Sequence, residues 1–400
     1  MNREEGGAPS RPVAPPASAR FRTCLLGFIS ALTCLGCEAA SPSLQLLGAQ
    51  EAIAPADFAA LVERISEEGG YFDTDNLISN ESGYLNVVDA LGRLGLEGGA
   101  YIGVGPDQNF SYIAELRPDL AFIVDVRRDN LLHHLLLKAL IERASTRVEF
   151  LSALHGVRAP TEPAAWVGES IDGIVAYVDS AWAARSAGPE GTAYIAALED
   201  SLTAEIRLLD VPLSPDDMDT IRRFHGSFVR SGPGLRFTSH GRPPRPYYPT
   251  YRQLLLETDA DGDAASYLSS RDRYAVVRDL QLANRIIPVV GDLSGSHALP
   301  EMASVLEEMG LRLTAFYASN VEFYLWQART FERWVDNLRA FSTAADAVVI
   351  RSYFPNFGRP HPSAIQGYYA TQTLQPVSVL ADGRFASYWE VVIRGVVPLR

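Results

Sequence analysis

GGAYIGVGPDQNFSYIAELRPDLAFIVDVRRDN, residues 98–130, is the stretch of sequence that decides the fold. It begins with a short apolar run of β-forming residues, Ala100 to Val104, which glycines interrupt. Pro106 suits the first position of a helix, and a second apolar run, Ala121 to Val124, is closed by Asp125. The stretch therefore predicts a strand, a glycine turn, a helix and a second strand, which is the opening of a parallel α/β sheet.

The chain downstream alternates between strand-like and helical segments. Apolar strand signals return three times, separated by helical patterns, at residues 285–290, 311–318 and 347–353. This alternation predicts an α/β class with a doubly wound, mostly parallel, Rossmann-like sheet. Residues from about 130 to about 285 are mostly helical in pattern, so we expect a large helical insertion inside a domain that spans 49–400. The segment 377–397 predicts a β-hairpin around an Asp-Gly turn.

The composition describes a globular chain with a strongly acidic balance. It has 400 residues, of which 47% are hydrophobic and 21% charged, and its formal net charge is −13 at pH 7. Such a chain can bury a large core. Binding to phosphate backbones requires a basic face, and no cluster of Lys or Arg offsets the acidic balance, so we expect no nucleic-acid partner. A small-molecule ligand is the expected partner, and the oligomeric state is left open.

The first residues, 1–48, form a leader distinct from the rest of the chain. Two arginines precede an apolar run from Cys24 to about Leu35, and Leu35-Gly36-Cys37 closes it. This order of features is typical of a secretory signal, and the run is too short for an ordinary spanning helix. The closing tripeptide resembles the bacterial lipoprotein box, which implies a lipid on Cys37 and a place in the cell envelope, lipid-anchored or periplasmic. The alternative is a loosely hydrophobic extension on a cytoplasmic protein.

A ligand site is expected where the glycine turn meets the end of the second strand. In open α/β sheets, ligands bind beyond the carboxyl ends of the strands. Asp125 lies 20 residues after Gly105, which is the spacing expected of a carboxylate that binds a ribose diol. The pattern therefore indicates a nucleotide-type ligand. The alternative interpretation is that the glycines only form a turn and that Asp125 caps the following helix.

Asp107 narrows the type of ligand expected at the glycine turn. It stands at the expected helix start, where the pyrophosphate of a dinucleotide would rest. Like charges about 4 Å apart repel by ~4 kcal/mol at an effective dielectric of about 20, so phosphate is disfavoured and a ligand with a cationic part fits better. Alternatively, the carboxylate only interacts with its own helix dipole. A nicotinamide dinucleotide whose 2′-phosphate meets Arg127 or Arg128 is accordingly the less favoured alternative.

Three motifs resemble those of class I S-adenosylmethionine-dependent methyltransferases: AYIGVG at 100–105, AFIVD at 121–125 and VVGD at 289–292. They look like the family's first glycine motif, its second strand with a ribose-binding acid, and its fourth-strand motif. The chain differs from the family pattern at Tyr101, where an acid is usual, and at Asp107, where a third glycine is usual. The segment also resembles a broad bacterial family of uncharacterised proteins, which carries no assigned reaction. The first resemblance implies S-adenosylmethionine as cofactor, and we assign its binding to Gly103, Gly105, Asp107, Gln108, Asn109, Asp125 and Arg127.

Polar residues at further element boundaries are candidates for a role beside the cofactor. The segments 79–81 and 320–324 also each fit a helix N-cap, which is the alternative interpretation of those two segments. We expect one group of these residues, with catalytic roles, to orient a methyl acceptor, and it contains Asp292, Asn320 and Glu322. We expect a second group to contact the substrate or to form a lid, and it contains Asn80, Glu81 and Tyr84.

No metal site is expected. The neighbouring residues His133 and His134 point to different faces of a helix, and the acidic loop 259–263 lacks the register of a calcium loop. All three cysteines lie in the leader, so the remaining chain has no thiolate ligand or nucleophile. The leading functional hypothesis is methyl transfer from S-adenosylmethionine to an unknown small molecule. The alternative is a non-catalytic envelope lipoprotein that uses the same fold to bind another ligand.

Overall fold

The structure, a computed structural model, describes residues 51–185, 188–242 and 245–399, and the leader with Cys37 lies outside these residues. Its architecture is α/β, with helices flanking one six-stranded sheet. The first three strands lie within one residue of their expected bounds. The strands are β1 (Ala100–Val104), β2 (Leu120–Asp125), β3 (Ile286–Val290), β4 (Leu313–Ser319), β5 (Thr343–Tyr353) and β6 (Thr371–Pro376).

The sheet runs in the order β3-β2-β1-β4-β5-β6. β1 is parallel to its two neighbours, β3 extends the sheet beyond β2, and β5 extends it beyond β4, also in parallel. β6 pairs with β5 in the antiparallel direction. Because the chain moves outward from β1 on one side and returns to its other side with β4, the strand order reverses between β1 and β4. The carboxyl ends of the five parallel strands meet along one edge of the sheet.

The central strands are buried along their whole length. Every residue of β1 and β3 is buried, and β2 is buried up to Asp125, the first partly exposed position. Parallel strands covered on both faces are apolar along their whole length, which is why the short apolar runs located these strands so closely. Asp125 therefore marks the point where the buried strand reaches the edge of the sheet.

Helices fill the connections between the parallel strands. The connection from β2 to β3 consists of α4 to α10, in the place where the sequence predicts a helical insertion. Within the described residues, no helix is both long enough and apolar enough to cross a bilayer. The helices are α1 (Pro55–Ile65), α2 (Val88–Leu94), α3 (Asn109–Leu116), α4 (Arg128–Arg143), α5 (Arg147–Leu154), α6 (Ile171–Ala184), α7 (Pro189–Arg207), α8 (Pro215–Ser231), α9 (Tyr251–Leu255), α10 (Arg271–Leu282), α11 (Ala298–Glu308), α12 (Val321–Gln327), α13 (Phe331–Arg339), α14 (Val377–Ala381) and α15 (Tyr388–Ile393).

The prediction of a β-hairpin at 377–397 is wrong. The segment folds instead as α14 and α15, and Ser387 caps α15 by accepting a hydrogen bond from the Glu390 backbone N–H. The buried residues of α15 follow helical spacing, at positions 388, 391 and 392. The strand in this region is β6, whose sequence TQTLQP has no apolar alternation and was not expected.

The helix expected from Pro106 begins later, at Asn109. The side-chain nitrogen of Asn109, Nδ2, donates hydrogen bonds to the carbonyls of Val104, at 2.9 Å, and Pro106, at 2.7 Å. These bonds hold the four residues before the helix as a turn, so the chain leaves β1 through a tight, buried connection. This turn lies at the edge of the sheet where the strand order reverses.

Candidate functional site

A cavity of about 280 Å³ lies at the carboxyl ends of β1, β2, β3 and β4. Two segments that are distant in sequence, 72–81 and 237–248, supply most of the remaining walls, and Gln108, Tyr324 and Leu325 complete them. The residues at the strand ends that line the cavity are Val104, Gly105, Val124, Asp125, Val126, Arg127, Gly291, Asp292, Leu293, Ser319, Asn320 and Val321. The cavity therefore spans the strand-order reversal between β1 and β4.

The structure brings together most, but not all, of the residues expected at the site. Eight of them line the cavity: Asn80, Glu81, Gly105, Gln108, Asp125, Arg127, Asp292 and Asn320. Five do not line it: Tyr84, Gly103, Asp107, Asn109 and Glu322. The five are buried and bonded elsewhere in the protein, and each has a structural explanation.

The glycine turn presents Gly105 to the cavity in a backbone conformation that favours glycine, with φ of +85°. The Gly105 carbonyl accepts a hydrogen bond from His134 Nε2 at 2.8 Å. Burial lowers the pKa of His134 to about 4, so the ring is neutral at pH 7. Since a carbonyl can only accept, the neutral ring carries its proton on Nε2. His134 thus acts as a buried support beneath the turn.

Gly103 lies in β1, two residues before Gly105, and glycine is needed there for a different reason. A Cβ atom at this position would lie 1.9 Å from Asn109 Oδ1 and 2.6 Å from the Tyr101 hydroxyl oxygen. The Tyr101 hydroxyl donates to Asn109 Oδ1 at 2.8 Å, so neither group can move without losing a buried hydrogen bond. Gly103 is therefore required by packing beside Asn109, although it does not line the cavity.

Replacing Gly103 with alanine is expected to lower the free energy of unfolding by about 1–3 kcal/mol, because the added methyl group overpacks a buried hydrogen-bonded pair. Urea unfolding followed by circular dichroism measures the change. Gly168→Ala is the matched control, since its added Cβ meets no atom within 4 Å. Equal stability of the two variants would contradict the packing role of Gly103.

Asp125 and Arg127 form an ion pair at the end of β2. Arg127 Nη2 lies 2.8 Å from Asp125 Oδ2, and Arg127 Nε donates to Oδ1 at 3.1 Å. The other guanidinium nitrogen, Nη1, donates to the carbonyls of Thr74, at 2.6 Å, and Asp75, at 2.9 Å. Arg127 therefore orients the Asp125 carboxylate and ties the 72–81 segment to the end of the strand.

These contacts weaken the alternative of a 2′-phosphate site. All three guanidinium nitrogens of Arg127 donate hydrogen bonds to protein oxygens. Arg128 forms a bidentate pair with Asp217, with both N–O distances at 2.9 Å. A phosphate would have to displace these partners.

The position of Asp107 corrects the expectation that it meets a ligand. Its carboxylate accepts hydrogen bonds from the hydroxyls of Tyr251, at 2.7 Å, and Tyr267, at 3.0 Å. Burial raises the pKa of Asp107 to about 6, against the opposing effect of these two donors. The carboxylate thus lies in a buried tyrosine cluster formed with the helical insertion, which local sequence could not reveal.

The first turn of α3 disfavours a pyrophosphate for a different reason. The backbone N–H of Phe110 donates to the Asp107 carbonyl at 2.9 Å, and that of Ser111 donates to the Gln108 carbonyl at 3.1 Å. Helix N-termini bind phosphate through backbone N–H groups that lack an acceptor. These two amides already have acceptors within the turn.

Glu81 is the most deeply buried acid of the cavity wall, with 1% of its surface exposed. Its Oε1 atom accepts from the Ser319 hydroxyl, and its Oε2 atom accepts from the hydroxyls of Tyr317 and Ser352. Gln372 Nε2 also approaches Oε2, at 3.4 Å. Burial raises the pKa of Glu81, and the four donors act in the opposite direction.

Three of the four donors to Glu81 are candidate site residues that were not expected from the sequence: Tyr317, Ser352 and Gln372. They come from the ends of β4 and β5 and from β6, which are neighbours in the sheet but distant along the chain. Gln108 Nε2 donates to the Tyr317 hydroxyl at 3.3 Å and so connects this group to the glycine turn. The only signal in the sequence was the presence of hydroxyl residues at the ends of apolar runs.

The remaining expected residues differ in exposure. Asp292 is exposed, and its Oδ1 atom accepts from the backbone and hydroxyl of Ser294 at 2.8 and 2.9 Å. Glu322 is completely buried in an ion pair with Arg351 and does not line the cavity, so the position does not suit the expected contact with an acceptor. The Tyr84 hydroxyl donates to the Leu254 carbonyl at 3.2 Å.

Aromatic side chains surround the outer part of the cavity. Phe72 and Tyr324 pack edge to face, with ring centroids 5.6 Å apart, and are 38% and 41% exposed. Phe237 and Tyr248 form a second edge-to-face pair at 4.8 Å. The Thr74 hydroxyl donates to the Thr238 carbonyl at 2.6 Å and so connects the two covering segments. The sequence predicted a cover from the first of these segments, whereas the second was not anticipated.

The fold and the site define a class: an α/β protein with a mostly parallel six-stranded sheet and a ligand-sized cavity at the carboxyl ends of its strands. In the described part of the chain, no three His, Cys, Asp or Glu side chains are grouped so as to hold a metal ion.

The chain belongs to the family described as "Domain of unknown function (DUF7790)", which matches residues 77–179 and 239–387. No protein with a curated description matches the chain. All six strands lie in the matched stretches, whereas α7 and α8 lie between them.

Proposed function

We propose that this protein binds an adenosine-type ligand in the cavity and that the ligand is S-adenosylmethionine, used for methyl transfer to a small molecule. The observation that carries the proposal is the position of the cavity at the strand-order reversal, between a glycine turn after β1 and a carboxylate at the end of β2. Nucleotide-type ligands bind at this point in doubly wound sheets. The order 3-2-1-4-5-6 supports assignment to that Rossmann-like class.

The packing of the helices gives further support to a doubly wound arrangement. α10 packs against both α3 and α4, and α3 also packs against α2. In a second group, α11 packs against α1 and α13, and α13 packs against α14. Two such groups are what a sheet covered on both faces requires.

Asp125 is the proposed ribose contact, and its carboxylate retains capacity for one. Its Oδ1 atom accepts from both the backbone N–H and Nε of Arg127, whereas Oδ2 accepts from Nη2 alone. A carboxylate oxygen can accept about two hydrogen bonds. A ribose hydroxyl is therefore expected at Oδ2, with the ion pair holding the carboxylate in place.

Size and charge favour a nucleoside over a dinucleotide. The cavity volume of about 280 Å³ is just below the lower end of the range of about 300–1,000 Å³ seen in ligand sites. The N–H groups of Phe110 and Ser111 in the first turn of α3 already have backbone acceptors, so these two offer a pyrophosphate no free donor. S-adenosylmethionine has a nucleoside, two positively charged groups and no phosphate.

Calorimetric titration with S-adenosylmethionine and S-adenosylhomocysteine tests the proposal, and both are expected to bind. Asp125→Ala is expected to weaken binding by roughly 10- to 100-fold, because it removes a charge-assisted hydrogen bond to the ribose. Asp346→Ala is the matched control, since this exposed aspartate lies near the amino end of β5. Absence of heat with both ligands would refute the proposal, and unchanged binding by Asp125→Ala would refute the site.

The second candidate is a non-catalytic envelope lipoprotein that binds another ligand with this fold. The succession of arginines, apolar run and Leu35-Gly36-Cys37 in the leader sequence supports it. S-adenosylmethionine is made in the cytoplasm, so an exported chain would lack that cofactor. Mass spectrometry of the mature N-terminus separates the candidates: lipid on Cys37 favours the lipoprotein, and an intact leader favours methyl transfer in the cytoplasm.

A further inference from the structure

Glu81 differs from the other carboxylates of the cavity wall. Asp125 is paired with Arg127, Asp73 is paired with Arg242, and Asp292 is exposed to solvent. Glu81 is buried, and among the described residues no Lys, Arg or His nitrogen lies within 4.0 Å of its carboxylate. Its partners are three hydroxyls and one amide. It is therefore a buried acid that contacts only hydroxyl and amide groups and has no cationic partner among the described residues.

Such an acid favours a cation at its remaining acceptor position. Removing a carboxylate from water is costly, and dipolar donors offset only part of that cost. The four donors are not shared equally: three of them meet Oε2, whereas Oε1 accepts from Ser319 alone. Because an oxygen accepts about two hydrogen bonds, Oε1 can accept another donor. Ser319, its present partner, is itself part of the cavity wall.

Glu81 and Asp125 lie at opposite sides of the strand-order reversal. Asp125 ends β2, and the donors to Glu81 are on β4, β5 and β6. β1 separates β2 from β4, and at about 4.8 Å between neighbouring strands the nearest of these donor strands lies roughly 10 Å from β2. Gln108, which follows the glycine turn, lies between them and contacts Tyr317. A ligand in the cavity can therefore meet Asp125 with its sugar and Glu81 with its other end.

We propose that Glu81 is a cation subsite, which binds a positively charged amine or sulfonium on the 5′ side of a nucleoside held by Asp125. This inference rests on the proposed nucleoside function. It adds that the ligand carries its positive charge on the 5′ side of the nucleoside. The ligand class is a 5′-cationic nucleoside, and a 5′-phosphate is excluded because it would meet a buried carboxylate. Glu81 is a binding residue in this proposal and transfers no proton.

Three small probes test the subsite in the full protein: adenosine, 5′-amino-5′-deoxyadenosine and adenosine 5′-monophosphate. By calorimetry, the wild-type protein is expected to bind the amine about tenfold more tightly than adenosine, and the monophosphate more weakly than adenosine. This ranking needs no variant and holds whether or not substitutions at Glu81 fold. Equal affinity for the amine and adenosine would overturn the subsite while leaving the nucleoside site in place. Failure of all three to bind would overturn the proposed function together with the subsite.

Glu81→Gln assigns the preference to this residue. The substitution keeps the side-chain shape, and we expect it to lower the ratio of the affinity for the amine to the affinity for adenosine from about ten to about one. Glu257→Gln is the matched control: Glu257 is a nearby acid whose pKa burial raises to about 8, but it accepts from the Gly83 backbone and does not line the cavity. Retention of the amine preference by Glu81→Gln, or its loss in Glu257→Gln, would contradict the assignment.

Discussion

Arg351→Met is expected to lower the free energy of unfolding by about 3–5 kcal/mol, because it leaves Glu322 as an unpaired buried charge. Arg351 Nε lies 2.5 Å from Glu322 Oε2, Nη2 lies 2.9 Å from Oε1, and both side chains are 0% exposed. The same nitrogen, Nη2, donates to Gln375 Oε1 at 2.8 Å, so the substitution also leaves this amide oxygen without a donor. Urea unfolding at neutral pH measures the loss.

Two further variants separate the cost of an unpaired charge from the value of the pair. The double variant Arg351→Met with Glu322→Leu is expected to recover most of the stability, because no buried charge remains. Arg222→Met is the surface control: Arg222 pairs with Asp219 at 2.8 Å, but both are exposed, so a change below about 1 kcal/mol is expected. A double variant as unstable as Arg351→Met would show that packing, rather than charge, dominates.

The double variant also tests the expectation that Glu322 orients a methyl acceptor. Glu322 belongs to α12, close to the cavity along the chain, but its carboxylate bonds to β5 beneath the site. If the double variant folds and binds nucleoside as the wild type does, Glu322 is a structural residue. A folded double variant with lost binding would restore a role at the site.

Asp107→Asn is expected to flatten the dependence of stability on pH. Burial raises the pKa of Asp107 from 3.8 to about 6, so the folded state favours the protonated carboxyl. The stability that this preference contributes is fully present below about pH 3.8 and is lost as the pH rises through about 6. Over that range, the wild type should lose up to about 3 kcal/mol relative to the asparagine variant.

Urea unfolding of both proteins at several pH values from about 4 to about 8 measures this difference. The comparison uses the change with pH, so any constant cost of seating asparagine beside two tyrosines cancels. Tyr267→Phe supplies a check, because loss of a donor at 3.0 Å from the carboxylate should raise the pKa of Asp107 further and shift the loss of stability to higher pH. Parallel pH profiles for the wild type and Asp107→Asn would contradict the burial of an ionisable carboxyl there.

The strands around the glycine turn could be predicted from the sequence because their signals are local. β1, β2 and β3 are short apolar runs bounded by glycine or aspartate, and a parallel strand buried on both faces requires such a run. β6 could not be predicted in this way. Its glutamines and threonines are buried because the strand pairs with β5 and because they bond to partners such as Glu81 and Arg351. A search for apolar runs therefore does not detect this buried strand.

The residues of the candidate site also differ in whether the local sequence could locate them. Gly105 and Asp125 were expected at strand ends, and strand ends are positions that sequence can locate. Asp107 was assigned to the ligand from its distance to a helix start, but its partners, Tyr251 and Tyr267, are 144 and 160 residues away. Nothing in the local sequence encodes which distant hydroxyls reach a carboxylate.

The sequence by itself therefore determined the order of the first five strands along the chain, the glycine turn and the acid that ends β2, since these depend on neighbours along the backbone. Tertiary structure alone decided which acids meet the cavity. It buried Asp107 among tyrosines and Glu322 against Arg351, and it surrounded Glu81 with donors from β4, β5 and β6. The physical reason is that a buried carboxylate must find its hydrogen-bond partners in space, and those partners come from strands and helices far apart in the chain.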